Sequence, residues 1–441
     1  MYNPKEKTIF GFVNKHNRIS EFFLHYIWQN KLFNAENLTD DNNNEIKIVS
    51  PGIKNKDAGP DFFNAKIKIG NTIWAGNVEI HLNASDWYKH NHHKDKAYNN
   101  VILHVVADND SKTISEDGKR IPSFVLNYEK KLSDKYTKLI NNKNTISCNN
   151  YIVSVDKLIL NTWLSRLLIE RAEQKTEYAK SLLEFKNNNW EEIFYIITAR
   201  SFGFKVNALP FELLAKSLPS TILAKHKNNK FQIEALLFGQ AGMLKDNTIK
   251  DYYFSKLKKE YNFLKKKYKL SEIENYLWKF LRIRPSNFPT VRISQFADLI
   301  YKSSHLFSKV IETKSISELE KIFDIKSSEY WNTHYKFGKE SSLKEKRFGK
   351  SAVRNILINT IIPILFLYGK EKNKAEISEK AINFLENLKP EKNNITKKWE
   401  NSGTKIKNAY FSQALIQLYN EYCIKKRCLD CRIGHQFIQN K

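Results

Sequence analysis

The chain has 441 residues, 41% of them hydrophobic, with 73 Lys and Arg against 47 Asp and Glu. That length suits two or three folding units with real cores, and only 14 Gly and 10 Pro argue against long disordered linkers. The formal charge of +26 favours anionic partners, nucleic acid before a membrane surface, although a chain rich in Lys, Asn and Ile carries part of that charge as background. Four Cys make no disulfide scaffold. The first twenty residues lack the apolar run of a signal peptide, and no stretch of about 18 uncharged apolar residues occurs. A cytoplasmic protein off the membrane is the expectation.

Taken in chain order, "SEFFLHYIWQNKLF" (20–33) places Phe22, Phe23, Tyr26, Ile27 and Leu32 at helical spacing behind Ser20 as N-cap. "EIKIVSPG" (45–52) reads as a strand ending in Pro-Gly. "FFNAKIKIG" (62–70) and "TIWAGNVEIHL" (72–82) read as a hairpin turning at Gly70-Asn71. "SDWYKHNHHKDKAYNN" (85–100) is expected to be a polar helix capped by Ser85, with Trp87 and Trp74 as packing residues. "VILHVVAD" (101–108) reads as a buried strand and "RIPSFVLNY" (120–128) as another. After about residue 150 helical patterns take over, at 156–185, 189–203, 231–244 and 252–270. The apolar run 355–369 contains Pro363 and reads as a buried helix, and the Asn-rich stretch 389–408 as a long surface loop. The expected domains are therefore 1–150, α/β with a mixed sheet, and 151–441, all-α.

On the strand at 72–82, Val78, Ile80 and Leu82 point one way, and Asn77, Glu79 and His81 the other. Asp61 follows Gly59-Pro60 at a bend. A hard divalent cation such as Mg²⁺ or Mn²⁺ takes one or two carboxylates plus water and substrate phosphate, which Asp61 and Glu79 could supply. With Gly70-Asn71 as a strict two-residue turn, however, Phe62 lies opposite Glu79 and Asp61 faces the other side. The site then requires a bulge or bend at Gly59-Pro60.

"GPD" (59–61) followed by a hairpin and "EIH" (79–81) resembles the signature of the PD-(D/E)xK nuclease superfamily. The resemblance implies a restriction-endonuclease-like α/β core, a mixed sheet flanked by helices. It implies metal at Asp61 and Glu79, completed by Glu21, with Asp61, Glu79 and His81 catalytic and DNA ahead of RNA as partner. Where that signature carries Lys, this chain has His81, which would orient or deprotonate water; Lys94 or Lys96 would replace the cation. His93, Asp95 and Tyr98 would line the groove. Longer stretches, "DAGPDFFNA", "WAGNVEIH", "SDW", "AYNNVILHVV" and "FGFKVN", resemble a bacterial family catalogued as a domain of unknown function. That likeness runs from the first helix to the C-terminal cysteines and implies no activity.

Two rival functions stand beside hydrolysis of nucleic acid. One is a nucleic-acid-binding or assembly protein that kept the fold without catalysis. The other is a zinc hydrolase, with His90 and His93 neighbours on a helix and His81 a third ligand. Cys423, Cys428 and Cys431, spaced C-x4-C-x2-C, could hold zinc or an iron–sulfur cluster with Cys148 or His435 as the fourth ligand, or could be buried free thiols. Arg282, Arg284 and Arg292 cluster around two prolines and could grip a phosphate backbone, with Asn287 adding a contact, or pair with helix carboxylates. "RFGKSAVRN" (347–355) lacks phosphate-loop spacing, so an NTPase is excluded.

Overall fold

The computed structural model describes residues 19–185, 188–303 and 305–440, so most of the N-terminal segment read for a signal peptide lies outside the described residues. The chain divides into two units, Met1–Asn161 with Tyr419–Lys441, and Thr162–Leu418. This differs from the expected helical domain at 151–441. The C-terminal helix Arg432–Gln439 sends Ile438 and Phe437 into the same core as the sheet.

The first unit is built on a six-stranded mixed sheet. Helix α1 (Glu21–Gln29) precedes β1 (Ile46–Ser50), β2 (Ile53–Lys54), β3 (Phe62–Ile69) and β4 (Thr72–Asn83). The short helix α2 (Asp86–Lys89) leads to β5 (Val101–Asp108), and β6 (Thr113–Ile114), β7 (Arg120–Ile121), β8 (Ser123–Val125) and helix α3 (Lys130–Ile140) follow. The strand order is β1-β3-β4-β5-β8, with β2 beside β3. β3 runs antiparallel to β1 and β4, whereas β5 is parallel to β4 and β8. A hairpin suffices for the antiparallel pair, but the parallel pair needs a crossover, supplied by residues 84–100.

One face of the sheet carries the main core. Val78 and Ile80 of β4 and Leu103 and Val105 of β5 pack with Phe23, Leu24, Ile27 and Trp28 of α1, all fully buried. Each such side chain contributes about 1.5–3 kcal/mol. The alternation along β4 therefore holds, and Glu79 and His81 lie on the opposite face.

The crossover is not the continuous helix expected at 85–100. Helix α2 stops at Lys89, Asn91 takes a left-handed φ of 63°, and single 3₁₀ turns follow at His92–Lys94 and Lys96–Tyr98. The stretch "HNHHKDK" offers no apolar stripe to hold a helix on the sheet. Trp87 and Tyr98 instead meet edge to face at 5.7 Å and cover the polar face as a compact loop. The strand expected at 120–128 divides at Pro122, which has no N–H to give a ladder. β7 pairs with β6, while β8 pairs with β5.

The second unit is largely helical and includes Trp190–Phe202, Lys230–Gln240 and Tyr252–Tyr268, but it is not all-α as expected, because His334–Lys336 pairs with Lys339–Glu340 in a small antiparallel hairpin. Two further details differ. The presumed loop 389–408 contains the helix Asn394–Asn401, started by a capping box of Asn393 and Thr396 and anchored by the fully buried Trp399. The helix Lys350–Glu371 has the length and hydropathy a membrane crossing would need, yet 67% of its most apolar window is buried inside the fold. Its π-turn at Leu357–Ile361 accommodates Pro363, whose missing N–H and ring exclude the regular bond to Asn359.

Candidate metal centre

The β3–β4 hairpin begins in the register expected for a two-residue turn, with Ile69 opposite Thr72 and Ala65 opposite Gly76. Phe62, however, lies opposite Val78, not Glu79. One extra residue has entered β3, and Asn64 absorbs it at φ 55°, a left-handed conformation that Asn tolerates better than most residues. The required bulge thus exists, but at Asn64 instead of Gly59-Pro60. It sends Phe62 into the core and brings Asp61 beside Glu79. The two then lock reciprocally. The Asp61 backbone N–H donates to Glu79 Oε2 at 3.0 Å, and the Ile80 N–H donates to Asp61 Oδ2 at 3.0 Å.

Helix α1 adds Glu21 and, one turn on, His25, whose Nε2 lies 3.1 Å from Asp61 Oδ2. Both His25 ring nitrogens are buried without a properly aligned hydrogen bond. Burial, followed by repulsion from Asp61, Glu79 and Asp86, pushes the Glu21 carboxyl up to about 8. Burial and then Asp61 push Glu79 up to about 9, against a smaller lowering by the Asp61 N–H. Among the described residues, no Lys or Arg pairs with Glu21, Asp61 or Glu79. Glu21, Asp61 and Glu79 thus form an oxygen-rich group beside His25, the donor type that a hard divalent cation takes.

On the other side of Glu79 stand imidazoles. Glu79 Oε1 is 3.2 Å from His92 Nε2 and 3.6 Å from His81 Nε2. His81 Nε2 lies 3.0 Å from His90 Nδ1, and His81 Nδ1 lies 2.8 Å from His104 Nε2. His104 Nδ1 in turn meets Thr113 Oγ1 at 2.8 Å. Burial first, then the neighbouring imidazoles His104, His90, His92 and His25, hold His81 down at about 2. Burial likewise lowers His104 to about 4 and depresses His90 and His92. Burial thus disfavours the charged form of all four rings.

Of the residues expected at this centre, Glu21, Asp61, Glu79 and His81 converge. His81 does not have the water-orienting place expected of it, because both its nitrogens face other imidazoles. Among the groove candidates only Tyr98 reaches the cluster, stacking on His92 at 3.9 Å. His93 packs against Tyr88, and Asp95 accepts the Ala97 N–H at 2.9 Å. Lys94 and Lys96 are exposed, and neither pairs with a site carboxylate among the described residues. Trp87 is core, with Nε1 on the Ile114 carbonyl, but Trp74 is half exposed on the hairpin.

The expected triad His81, His90 and His93 is corrected to His81, His90 and His92, because the chain is not helical there and His93 turns away. His92 and His104 belong to the histidine-rich stretch 81–104 but were not assigned to the triad, while His25 and Thr113 escaped the sequence reading. His25 was signalled by its i,i+4 spacing from Glu21, whereas Thr113 carried no local signal.

The arginine cluster in the helical unit does not form as expected. Arg292 is buried, donates to Gln295 Oε1 at 2.8 Å and Asn287 Oδ1 at 2.5 Å, and lies over the Phe204 and Phe348 rings. It is a core residue, and Asn287 is occupied by it. Arg282 and Arg284 remain exposed.

Cys148 and the three C-terminal thiols, remote from it in sequence, lie near enough to influence one another's ionisation. Cys148 feels Cys431 and Cys428, and Cys423 feels all three others. Burial and this mutual repulsion push Cys148 up to about 12 and Cys428 to about 11. Lys426 sits beside them, donating to Ser147 Oγ at 2.7 Å. His435 is turned to Tyr26, with Nδ1 3.1 Å from the hydroxyl. Cys148, and not His435, is thus the neighbour of the other three thiols.

No curated protein and no solved structure matches the chain. The family described as protein of unknown function (DUF2851) matches residues 21–394, which includes the carboxylates and imidazoles and stops short of the three C-terminal cysteines. The chain belongs to this family.

Proposed function

We propose that this DUF2851 chain hydrolyses a phosphodiester bond of nucleic acid, DNA ahead of RNA, with a divalent cation held by Asp61 and Glu79 and completed by Glu21. The observation that carries the reading is the Asn64 bulge. It spends a left-handed residue to turn Asp61 toward Glu79, and such distortions recur beside active sites. The mixed sheet, with β3 antiparallel to β1 and β4 and with β5 parallel to β4 and β8, supports reading the core as restriction-endonuclease-like. The charge of +26 suits a polyanionic substrate. Asp61 and Glu79, completed by Glu21, would hold a Mg²⁺ or Mn²⁺ ion, which when bound would supply water activation and charge neutralisation at the phosphate. The Asp61 and Ile80 N–H groups each fix one oxygen, of Glu79 and Asp61 respectively, which supports a shared cation beside them.

The test is cleavage of single- and double-stranded DNA and RNA by the purified chain with Mg²⁺ or Mn²⁺, beside Asp61→Asn. Metal-dependent cleavage lost in the variant, with binding retained, is expected. Salt-sensitive binding without cleavage by the wild type would leave a nucleic-acid-binding protein.

The cysteine cluster supports a second, structural role. We propose that Cys148, Cys423, Cys428 and Cys431 hold zinc or an iron–sulfur cluster, which ties the C-terminal segment to the first unit and contributes to its folding.

A further inference from the structure

We infer that His81, His90 and His92, with Glu79 Oε1, form a site for a late transition metal, Zn²⁺ foremost. This goes beyond the carboxylate site. It shares Glu79 with that site but needs neither Asp61 nor nucleic acid.

The ligand atoms of the three histidines lie within 4.8 Å of one another. A tetrahedral ion with bonds of about 2.1 Å sets its ligands roughly 3.4 Å apart. The His81 Nε2–His90 Nδ1 separation of 3.0 Å and the His92 Nε2–Glu79 Oε1 separation of 3.2 Å are already near that spacing. The donor set is three imidazole nitrogens, with Glu79 Oε1 beside two of them, 3.2 Å from His92 and 3.6 Å from His81. Imidazole suits zinc, copper and nickel, whereas magnesium prefers oxygen and water. His90 is exposed while His81 is buried, so the ion would sit at the rim, with solvent on one side.

The proton inventory points the same way. Each contact in the row Thr113–His104–His81–His90 is short enough to hold a single proton. If Thr113 Oγ1 accepts from His104 Nδ1–H, then His104 Nε2 accepts from His81 Nδ1–H. The His81 Nε2 lone pair is left bare toward His90, His92 and Glu79. In the opposite polarity His81 Nε2 carries the proton and donates to His90. A metal selects the first polarity. His104 then acts as the outer partner that fixes the tautomer of a metal-binding imidazole, and Thr113 fixes His104. Tyr98, stacked on His92, holds the third ring in place.

The full chain, stripped with chelator, is reloaded with Zn²⁺ and its zinc content determined. His90→Asn/His92→Asn is expected to bind one equivalent less than wild type, while Asp61→Asn and Cys428→Ser keep that equivalent. His104→Gln is expected to keep the stoichiometry but weaken affinity about 10–100-fold. Equal zinc content in wild type and the double variant would overturn the proposal. Should the double variant fail to fold, X-ray absorption of the cobalt-loaded wild type decides. Imidazole scattering around the metal is expected, and a shell of only thiolate or only oxygen refutes the site. Loss of cleavage in Asp61→Asn with this zinc retained would leave both readings standing. Absence of cleavage with the zinc present would sink only the nuclease reading.

Discussion

Glu79→Gln should make the metal-free protein more stable, although it removes a group central to the proposed chemistry. Glu79 is 5% exposed, and its carboxyl is raised from an ordinary 4.5 to above neutrality by burial and by Asp61. The unfolded chain therefore releases this proton first as pH rises, and every pH unit above 4.5 favours unfolding until the folded group also ionises near 9. From 4.5 to pH 7, at about 1.36 kcal/mol per unit, this comes to roughly 3 kcal/mol. Gln carries no such load, and its side-chain oxygen still accepts the Asp61 N–H. A gain of about 1–3 kcal/mol at pH 7 is expected. Urea unfolding of chelator-treated wild type and variant at several pH values measures it. The gain should vanish toward pH 4.5 and grow through pH 8, and saturating Mn²⁺ should reverse it by stabilising the wild type alone. A variant that is less stable than wild type at pH 7, or a gain that does not change with pH, would refute the reasoning.

The bulge makes its own prediction. Asn64→Val places a β-branched residue at positive φ and should cost about 1–2 kcal/mol and weaken Mn²⁺ binding, whereas Asn64→Gly should leave both near wild type in calorimetry. Arg292→Ala removes a buried guanidinium stacked on two rings, and thermal unfolding should show a loss of about 2–4 kcal/mol. Its only effect on nucleic-acid binding should come through folding. Arg282→Ala should leave stability unchanged and, if that loop contacts phosphate, lower the salt slope of binding by about 1. Cys428→Ser should lose one metal equivalent by elemental analysis and destabilise the first unit, and iron with acid-labile sulfide in the wild type would identify the cluster type.

The parts of the fold governed by short-range periodicity were legible. Alternation at 72–82 gave the faces of β4, and the 3.6-residue apolar spacing gave α1 and the helices Trp190–Phe202, Lys230–Gln240 and Tyr252–Tyr268 of the second unit. The crossover was not, because the packing of Trp87 on Tyr98 and the left-handed Asn91 decide it, and neither has a pattern along the chain. The carboxylates were visible as a motif, but their convergence depended on a single inserted residue whose position in β3 only the register shows. His92 was hidden by the same misread crossover. Arg292 illustrates the converse. An Arg in a basic stretch reads as a surface contact until the rings that cover it are known. The Trp399 helix was missed because an Asn-rich segment outweighed the capping signal of Asn393 and Thr396.

Anomalous diffraction from a crystal soaked in Mn²⁺ is the most direct measurement. The account predicts a peak bound by Asp61 and Glu79, at about 2.0–2.2 Å from a carboxylate oxygen of each. Density that places Mn²⁺ away from both side chains, or no peak at a concentration that supports binding in solution, would contradict it.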